Sequence, residues 1–275
     1  MIDLKVLDFP IISKCNLKCD NCCSYSNLNI KGKVPSISSA KNDFSNWKSY
    51  INPLRLHIVG GEPFLHKELA AYIYAAREAF PNTDLRVFTN GLLLKKQLKL
   101  KEVLKETKCM LVISVHSTDL KYKQLLHDNL NEFFGDTIET NKEKSIVSFA
   151  YVYEKNGIKI ELRNMVKHWA QIYKEGIKPF NSNYKDAHNA CMWTDYTQLY
   201  EGKLWKCTQT AFFNDLMRRI NNHKDWEQYK NKYIPLSHDD SEIVKEQWFS
   251  EFLNPEPICS MCSGKLIKNT HKKIW

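Results

Sequence analysis

The stretch Lys14-Cys15-Asn16-Leu17-Lys18-Cys19-Asp20-Asn21-Cys22 places three thiols in a short loop with the spacing C-x3-C-x2-C. Three thiolates can hold an iron–sulfur cluster and leave one of its irons without a protein ligand. That iron can bind a small molecule, whereas a cluster with four cysteine ligands is coordinatively filled. A zinc site with Cys23 as a fourth ligand is the alternative, although zinc ligands usually come as two C-x2-C pairs. The spacing favours the cluster.

Apolar stretches alternate with helical segments up to about residue 180. The predicted strands span residues 4–12, 55–59, 84–88, 110–115, 146–153 and 158–165, and the predicted helices span 38–51, 66–79, 95–107 and 120–134. This alternation predicts an α/β fold with a parallel sheet and right-handed crossovers. In such folds ligands bind at the carboxyl ends of the strands. The cysteine loop, Gly60-Gly61-Glu62-Pro63 and Thr89-Asn90-Gly91 all fall at those ends.

The cysteine loop and the Gly-Gly-Glu-Pro motif together resemble the S-adenosylmethionine (SAM) radical superfamily. The resemblance implies a [4Fe–4S] cluster on Cys15, Cys19 and Cys22. It also implies that the amino and carboxylate groups of SAM chelate the open iron of this cluster. The methionine end of SAM then lies against Gly60, Gly61 and Glu62, where glycines permit close approach and a carboxylate can receive the amino group.

Further SAM contacts are expected beyond this loop. The resemblance suggests Asn90 on the third strand, and Ser114 or His116 on the fourth. Ordinary hydrogen bonds at strand ends are an equally open reading of these side chains. One position departs from the family pattern, because Asn21 precedes the third cysteine where an aromatic residue usually packs near the adenine. Tyr25 is our candidate for a ring that replaces it.

Four more cysteines lie in the last third of the chain, in the pattern C-x10-G-x4-C followed by C-x2-C. They are Cys191, Cys207, Cys259 and Cys262. Such thiols can bind either zinc or an iron–sulfur cluster, since spacing alone does not distinguish the two. The pattern resembles the Twitch domain, a shortened SPASM domain that carries one auxiliary [4Fe–4S] cluster. We therefore expect a partial (β/α)6 TIM-like barrel over residues 1–180 and a hairpin-plus-helix cluster-binding domain over 181–275.

The composition fits a globular protein. With 275 residues and 43% hydrophobic content, the chain can hold one large domain, or a barrel with a small appendage. It has no apolar run of about 18 residues, and its first residues lack the basic and apolar regions of a signal peptide. We therefore expect a cytoplasmic protein. In that compartment Cys23 and Cys109, outside the two metal-like groups, are expected to be structural thiols.

The formal net charge of +9 bears on the partners. A basic excess can attract a phosphorylated or nucleotide-linked substrate, or an acidic electron donor of the flavodoxin or ferredoxin type. A solvated, lysine-rich surface is the alternative. No basic run with interleaved aromatic residues indicates nucleic acid. Neither a membrane nor a nucleic-acid partner is expected.

The resemblance also implies a reaction, the reductive cleavage of SAM to a 5′-deoxyadenosyl radical that abstracts hydrogen from a small molecule. An auxiliary cluster can accept the remaining electron, so we expect oxidation of a sugar, a cyclitol or a nucleotide-linked sugar. In size and arrangement the chain resembles the 2-deoxy-scyllo-inosamine dehydrogenases, which oxidise a secondary alcohol. The hydroxyl proton needs an acceptor. The candidates are Arg163, His168 and His188, and an ion pair or a SAM contact is the open alternative for Arg163.

Two other functions stay open. The first is a radical SAM maturase that modifies a ribosomal peptide by thioether formation, C–C crosslinking or epimerisation. Such enzymes commonly carry an N-terminal leader-binding domain, and the cluster motif here begins at Cys15, which favours the carbohydrate-like substrate. The second is a non-catalytic metal-binding or electron-transfer protein.

Overall fold

The computed structural model describes residues 1–28, 34–135, 150–166, 170–220 and 223–267. Two predictions fall on other residues. Residues 146–149 of the fifth predicted strand and the candidate His168 lie outside the described residues.

Most of the described strands belong to one mixed sheet. In chain order the strands are β1 (Ile2–Leu4), β2 (Val6–Ile12), β3 (Ile51–Pro53), β4 (Arg55–Gly60), β5 (Asp84–Thr89), β6 (Met110–Val115), β7 (Ala150–Lys155), β8 (Ile158–Asn164), β9 (Tyr196–Tyr200), β10 (Lys203–Trp205) and β11 (Leu236–Ser237). The sheet order is β11-β10-β9-β2-β4-β5-β6-β8-β7, and β1 pairs with β3 apart from it. The stretch from β9 to β8 is parallel throughout. The predicted fold class, a partial barrel with a parallel core, is confirmed.

The described helices follow the strands as the sequence pattern predicts. They are α1 (Ile37–Trp47), α2 (Leu69–Ala79), α3 (Leu100–Glu106), α4 (Leu120–Phe134), α5 (Tyr184–Asn189), α6 (Thr208–Ala211), α7 (Phe213–Met217), α8 (His223–Glu227) and α9 (Glu242–Glu251). The bounds of α4 agree with the prediction. Its first turn is capped by the Asp119 side chain, which accepts from the Tyr122 amide, and its end is capped by Gly135 at φ 73°.

The predicted helix over residues 95–107 is wrong in its first half. A 3-10 turn occupies Leu94–Gln97, and α3 begins only at Leu100. The Gln97 side chain donates to the carbonyls of Phe64 and His66, which ties this turn to the loop after β4. A tertiary contact thus overrides the helical pattern there.

The two faces of the sheet differ in polarity, because side chains alternate along each strand. On β2, Leu7, Phe9 and Ile11 are buried in the main hydrophobic cluster, which includes residues of the first four helices. Asp8 and Pro10 point to the opposite face and line a cavity. The other parallel strands repeat this pattern, so the sheet has an apolar outer face and a more polar inner face.

The segment after residue 170 builds a second hydrophobic cluster, which includes Tyr200, Phe212 and Trp226. Cys259 and Cys262 pack against this cluster. Its strands are nevertheless part of the main sheet, because β9 pairs in parallel with β2. The division at residue 180 stays a prediction. Within the described residues, no helix is both long and apolar enough to cross a membrane.

Candidate active site

A cavity of about 460 Å³ lies on the inner face of the sheet. All three thiols of the predicted cluster loop line it, namely Cys15, Cys19 and Cys22. The cavity also reaches Gly60, Gly61 and Glu62 after β4. The two strongest sequence motifs therefore share one cavity.

The end of β4 is held directly against the start of the cysteine loop. The Gly61 amide donates to the Ile12 carbonyl at 2.7 Å, and the Glu62 amide donates to the Lys14 carbonyl at 2.9 Å. A Cβ atom on Gly60 would lie 2.2 Å from the Ile12 oxygen, and one on Gly61 would lie 2.3 Å from the Lys14 oxygen. Glycine is required at both positions because a side chain there would collide with the protein's own backbone. This reason could not be read from the sequence.

Two of the loop thiols, Cys15 and Cys19, have pKa values above the usual range of a cysteine. Burial raises the pKa of Cys15 to about 12, and the charges of Glu62 and Cys22 raise it further. Burial also raises the pKa of Cys19, with added repulsion from Cys22 and Cys15. Such thiols need a cationic partner to ionise together, and an iron–sulfur cluster is one. The three loop thiols are therefore ligands of the chemical type that such a cluster takes.

Glu62 is buried beside this loop with 1% of its surface exposed. Its carboxylate accepts hydrogen bonds from the amides of Phe64, at 3.0 Å, and Asn90, at 2.7 Å. The Thr89 hydroxyl donates to it at 2.7 Å. These donors are all neutral, and burial raises the pKa of Glu62 to about 7 despite them. A cationic amino group in the cavity would complete this site, as expected for the amino group of SAM.

We expect the stability of the cofactor-free protein to fall from pH 5 to pH 8 because of Glu62. The folded state holds its proton up to a pKa of about 7, whereas the unfolded state releases it near 4.5. The contribution of Glu62 to the free energy of unfolding is therefore fully present below pH 4.5 and lost as the pH rises towards 7. This contribution is about 3 kcal/mol at most. Thermal melts of Glu62→Gln should lack this part of the pH dependence. Glu78→Gln, which changes an exposed residue of α2, is the control, and its melting temperature should vary with pH as that of the wild type does. The same variation in Glu62→Gln would contradict the assignment of the raised pKa to Glu62.

The structure brings the other predicted SAM contacts to the same cavity. Asn90, Ser114 and His116 all line it. The Asn90 side chain donates to the Asn16 side chain at 2.7 Å, so it also ties the cysteine loop to the end of β5. The placement of these side chains agrees with the sequence analysis, and their contact with SAM stays a prediction.

Tyr25 does not reach the cavity. It is buried in the second hydrophobic cluster, where its ring lies 6.1 Å from that of Tyr173. The cause is a turn after the cysteine loop, in which the Tyr25 amide donates to the Cys22 carbonyl at 3.0 Å. Asn21 also has a structural contact, because its side-chain oxygen accepts from the amides of Ile172 and Tyr173. The prediction that Tyr25 replaces the missing adenine contact is not supported by its position.

The three candidate proton acceptors have different positions. Arg163 lines the cavity, where its Nε donates to Glu161 and its guanidinium lies 4.8 Å from the Phe88 ring centre. His188 lies in α5 and is not among the described residues that line the cavity. Burial and the charge of Lys206 lower the pKa of His188. Only Arg163 of the described candidates has access to a ligand in the cavity.

Several polar residues on the inner face were not predicted from the sequence. Asp8, His57, Tyr196 and Gln198 line the cavity together with Arg163. The available signal was a polar residue in the middle of an otherwise apolar strand, as in Val-Leu-Asp-Phe-Pro on β2. Cys23, which we expected to be a structural thiol, also lines the cavity. Its structural role stays a prediction.

The four C-terminal cysteines affect one another electrostatically. Burial raises the pKa of Cys262 well above its usual range, and the charges of Cys207, Cys191 and Cys259 raise it further. The short 3-10 helix Pro257–Met261, which carries Cys259 and ends directly before Cys262, packs against α5. The described residues contain no group of three or more Cys, His, Asp or Glu side chains that could hold a metal ion as they stand. Binding of a metal or cluster by either cysteine group stays a prediction.

A buried lysine lies beside the C-terminal cysteines. The Lys206 ammonium pairs with Glu256 at 2.9 Å and donates to the carbonyls of Phe252 and Asn254. Its charge lowers the pKa of Cys191 against the larger effect of burial. Burial nevertheless keeps the pKa values of Cys191 and Cys259 raised, and the charge of Glu256 adds to the rise at Cys259.

Comparisons with known proteins place the chain in a family. The family model described as the Radical SAM superfamily matches residues 9–155. GTP 3′,8-cyclase from Aquifex aeolicus (strain VF5) is 30% identical over 137 residues, which are 48% of this chain and 42% of that protein. The chain thus spans less than half the length of this relative.

Two solved structures are similar to the chain at low sequence identity. A crystal structure of BtrN in complex with AdoMet and 2-DOIA aligns over 100% of both chains with a TM-score of 0.51 and 15% identity. A structure of Streptococcus suis SuiB aligns over 91% of this chain and 66% of its own, with a TM-score of 0.41 and 13% identity. The family model matches more than half of the sequence. The chain, with its cysteine loop and the cavity beside it, therefore belongs to the radical SAM superfamily.

Proposed function

We propose that this protein oxidises a secondary alcohol of a sugar, a cyclitol or a nucleotide-linked sugar, with a second iron–sulfur cluster as the electron acceptor. Membership of the superfamily implies a [4Fe–4S] cluster and SAM. When bound, they supply a 5′-deoxyadenosyl radical that takes a hydrogen atom from the substrate. The three loop cysteines hold the cluster in this proposal, and Gly60, Gly61 and Glu62 lie against SAM.

The observation that carries the proposal is the position of the C-terminal cysteines relative to the cavity. Met192 and Trp193, which follow Cys191, line the same cavity as the cluster loop. Thr208, which follows Cys207, lines it as well. A Twitch-type auxiliary cluster on the C-terminal cysteines would therefore border the substrate. An electron left on the substrate after hydrogen abstraction then has a short route to an acceptor.

The lining of the cavity suits a polyhydroxylated substrate. Asp8, Gln198 and Arg163 offer hydrogen-bonding groups, and Phe88 and Trp193 offer aromatic rings. A cavity with apolar walls and a few convergent polar groups is the usual form of a small-molecule site. The net charge of +9 supports an acidic electron donor of the flavodoxin or ferredoxin type as the partner that reduces the first cluster.

We expect the double variant Cys259→Ala/Cys262→Ala to separate SAM cleavage from substrate oxidation. Anaerobically reconstituted wild type should hold about eight irons and this variant about four. With 2-deoxy-scyllo-inosamine, myo-inositol and UDP-glucose as probes, the variant should still form 5′-deoxyadenosine after dithionite reduction. The amount of ketone that the variant forms per molecule of 5′-deoxyadenosine should fall at least about tenfold, because the electron acceptor is lost.

Cys109→Ala is the matched control, because it removes a buried thiol outside both groups. It should keep the iron content and the ketone yield of the wild type. A wild-type protein that holds about four irons and one zinc would lack the second cluster, which the proposal needs as its electron acceptor. Ketone formation by the double variant at the wild-type yield would show that the C-terminal cysteines do not serve the oxidation.

A further inference from the structure

Three neighbouring strands place a polar group of three residues on the floor of the cavity. Asp8 on β2 is the register partner of His57 on β4 and of Gln198 on β9. All three side chains line the cavity and are buried. None of them belongs to the cysteine loop or to the Gly-Gly-Glu-Pro motif.

The hydrogen bonds within this group fix the orientation of the histidine. His57 Nδ1 lies 2.9 Å from Asp8 Oδ1, and Gln198 Nε2 donates to Asp8 Oδ2 at 2.7 Å. An ionised carboxylate can only accept hydrogen bonds, so the His57 proton sits on Nδ1. The lone pair of His57 Nε2 is then free to accept a proton.

His57 Nε2 has no hydrogen-bond partner among the residues that the structure describes, although it is buried. The imidazole as a whole is 1% exposed. The rings of Phe88 and Tyr196 flank it, with centres 4.8 and 6.0 Å from its own. Buried polar atoms are nearly always paired, and exceptions call for an explanation such as a ligand or a catalytic role.

We propose that His57 Nε2 accepts the hydroxyl proton of the substrate, with Asp8 as the residue that positions it. This inference rests on the proposed alcohol oxidation. With SAM and both clusters bound, the carbinol hydrogen atom would go to the 5′-deoxyadenosyl radical and the hydroxyl proton to His57 Nε2. The remaining electron would go to the auxiliary iron–sulfur cluster, and the C–O bond would become a carbonyl. The imidazolium that forms is stabilised by the carboxylate of Asp8.

This assignment fits the cavity better than Arg163 does. A guanidinium is protonated at all physiological pH values and has no acceptor. The Arg163 side chain also donates to Glu161. Arg163 can orient or polarise a hydroxyl, whereas the arrangement of His57 and Asp8 is that of a general base and its orienting carboxylate.

The experiment uses 2-deoxy-scyllo-inosamine, myo-inositol and UDP-glucose, each deuterated at its carbinol carbons, with wild type, His57→Gln and Asp8→Asn. For whichever probe the wild type oxidises, both variants should still move deuterium into 5′-deoxyadenosine. The ketone formed per nucleoside should fall at least about tenfold in His57→Gln and less in Asp8→Asn. The alcohol that has lost deuterium and is not oxidised should be recovered with protium at its carbinol carbon. This is expected because dithionite and a solvent proton reduce the substrate radical.

The outcomes separate the two proposals. His238→Gln, the same change at a partly exposed histidine, should behave as wild type. A wild-type ketone yield per nucleoside in His57→Gln would overturn the role of His57 and leave the oxidation standing. Failure of the wild type to oxidise any probe would overturn the proposed function and the role of His57 with it. If His57→Gln loses iron, the ketone yield of Asp8→Asn provides the test of the role of His57. Loss of iron from both variants would show that Asp8, His57 and Gln198 form a structural group and would overturn that role.

Discussion

The variant Cys15→Ala/Cys19→Ala/Cys22→Ala should contain about four irons fewer than the wild type and form no 5′-deoxyadenosine after dithionite reduction. The three thiols line one cavity with the Gly60-Gly61-Glu62 segment, and alanine leaves a cluster without ligands there.

Anaerobic reconstitution followed by iron, sulfide and nucleoside analysis measures this. Cys109→Ala is again the control, since it replaces a fully buried thiol of the core and leaves both cysteine groups intact. Retention of the wild-type iron content by the triple variant would mean that the loop does not bind the cluster.

Gly61→Ala should abolish SAM cleavage almost as completely, although it removes no ligand and changes no charge. Its Cβ would lie 2.3 Å from the Lys14 oxygen and 2.7 Å from the Ser13 oxygen, both of them backbone atoms. Real Cβ atoms do not approach so closely, so the start of the cysteine loop must shift. A shift of the loop next to Cys15 displaces a ligand, and the iron content should fall by about four.

Gly135→Ala is the matched control for Gly61→Ala. Gly135 has φ +73°, and a Cβ there would meet no atom of the described residues within 4 Å. The control costs about 1 kcal/mol of backbone strain but leaves the cysteine loop alone, so its iron content should match the wild type. A Gly61→Ala protein that binds iron and cleaves SAM at the wild-type rate would show that the loop can move without losing the cluster.

The sequence predicted the candidate site to the extent that the site is local. The C-x3-C-x2-C loop and the Gly-Gly-Glu-Pro segment could be read directly, because each motif needs only a few adjacent residues. The cavity residues Asp8, His57 and Gln198 could not be read in this way. Asp8 and Gln198 are 190 positions apart, and no local pattern indicates that their side chains meet.

The fold shows the same division between local and long-range information. The helix α4 agrees with its prediction because Asp119 and Gly135, both adjacent to it, fix its ends. The position of β9 was not predicted, because the C-terminal cysteines suggested a separate domain for that segment. Its parallel pairing with β2 depends on the edge that the barrel strands leave available.

The parallel α/β fold, the superfamily and the loop cysteines could be predicted from the sequence, because alternating strand and helix patterns and close motif spacing are properties of consecutive residues. The three-dimensional structure was needed to show which polar side chains face the cavity and where Tyr25 lies. It also brought His57 to Asp8, and set the residues that follow Cys191 and Cys207 beside the same cavity as the cluster loop. These features arise from strand register and from packing between distant segments, and register places a side chain on one face of a sheet or the other.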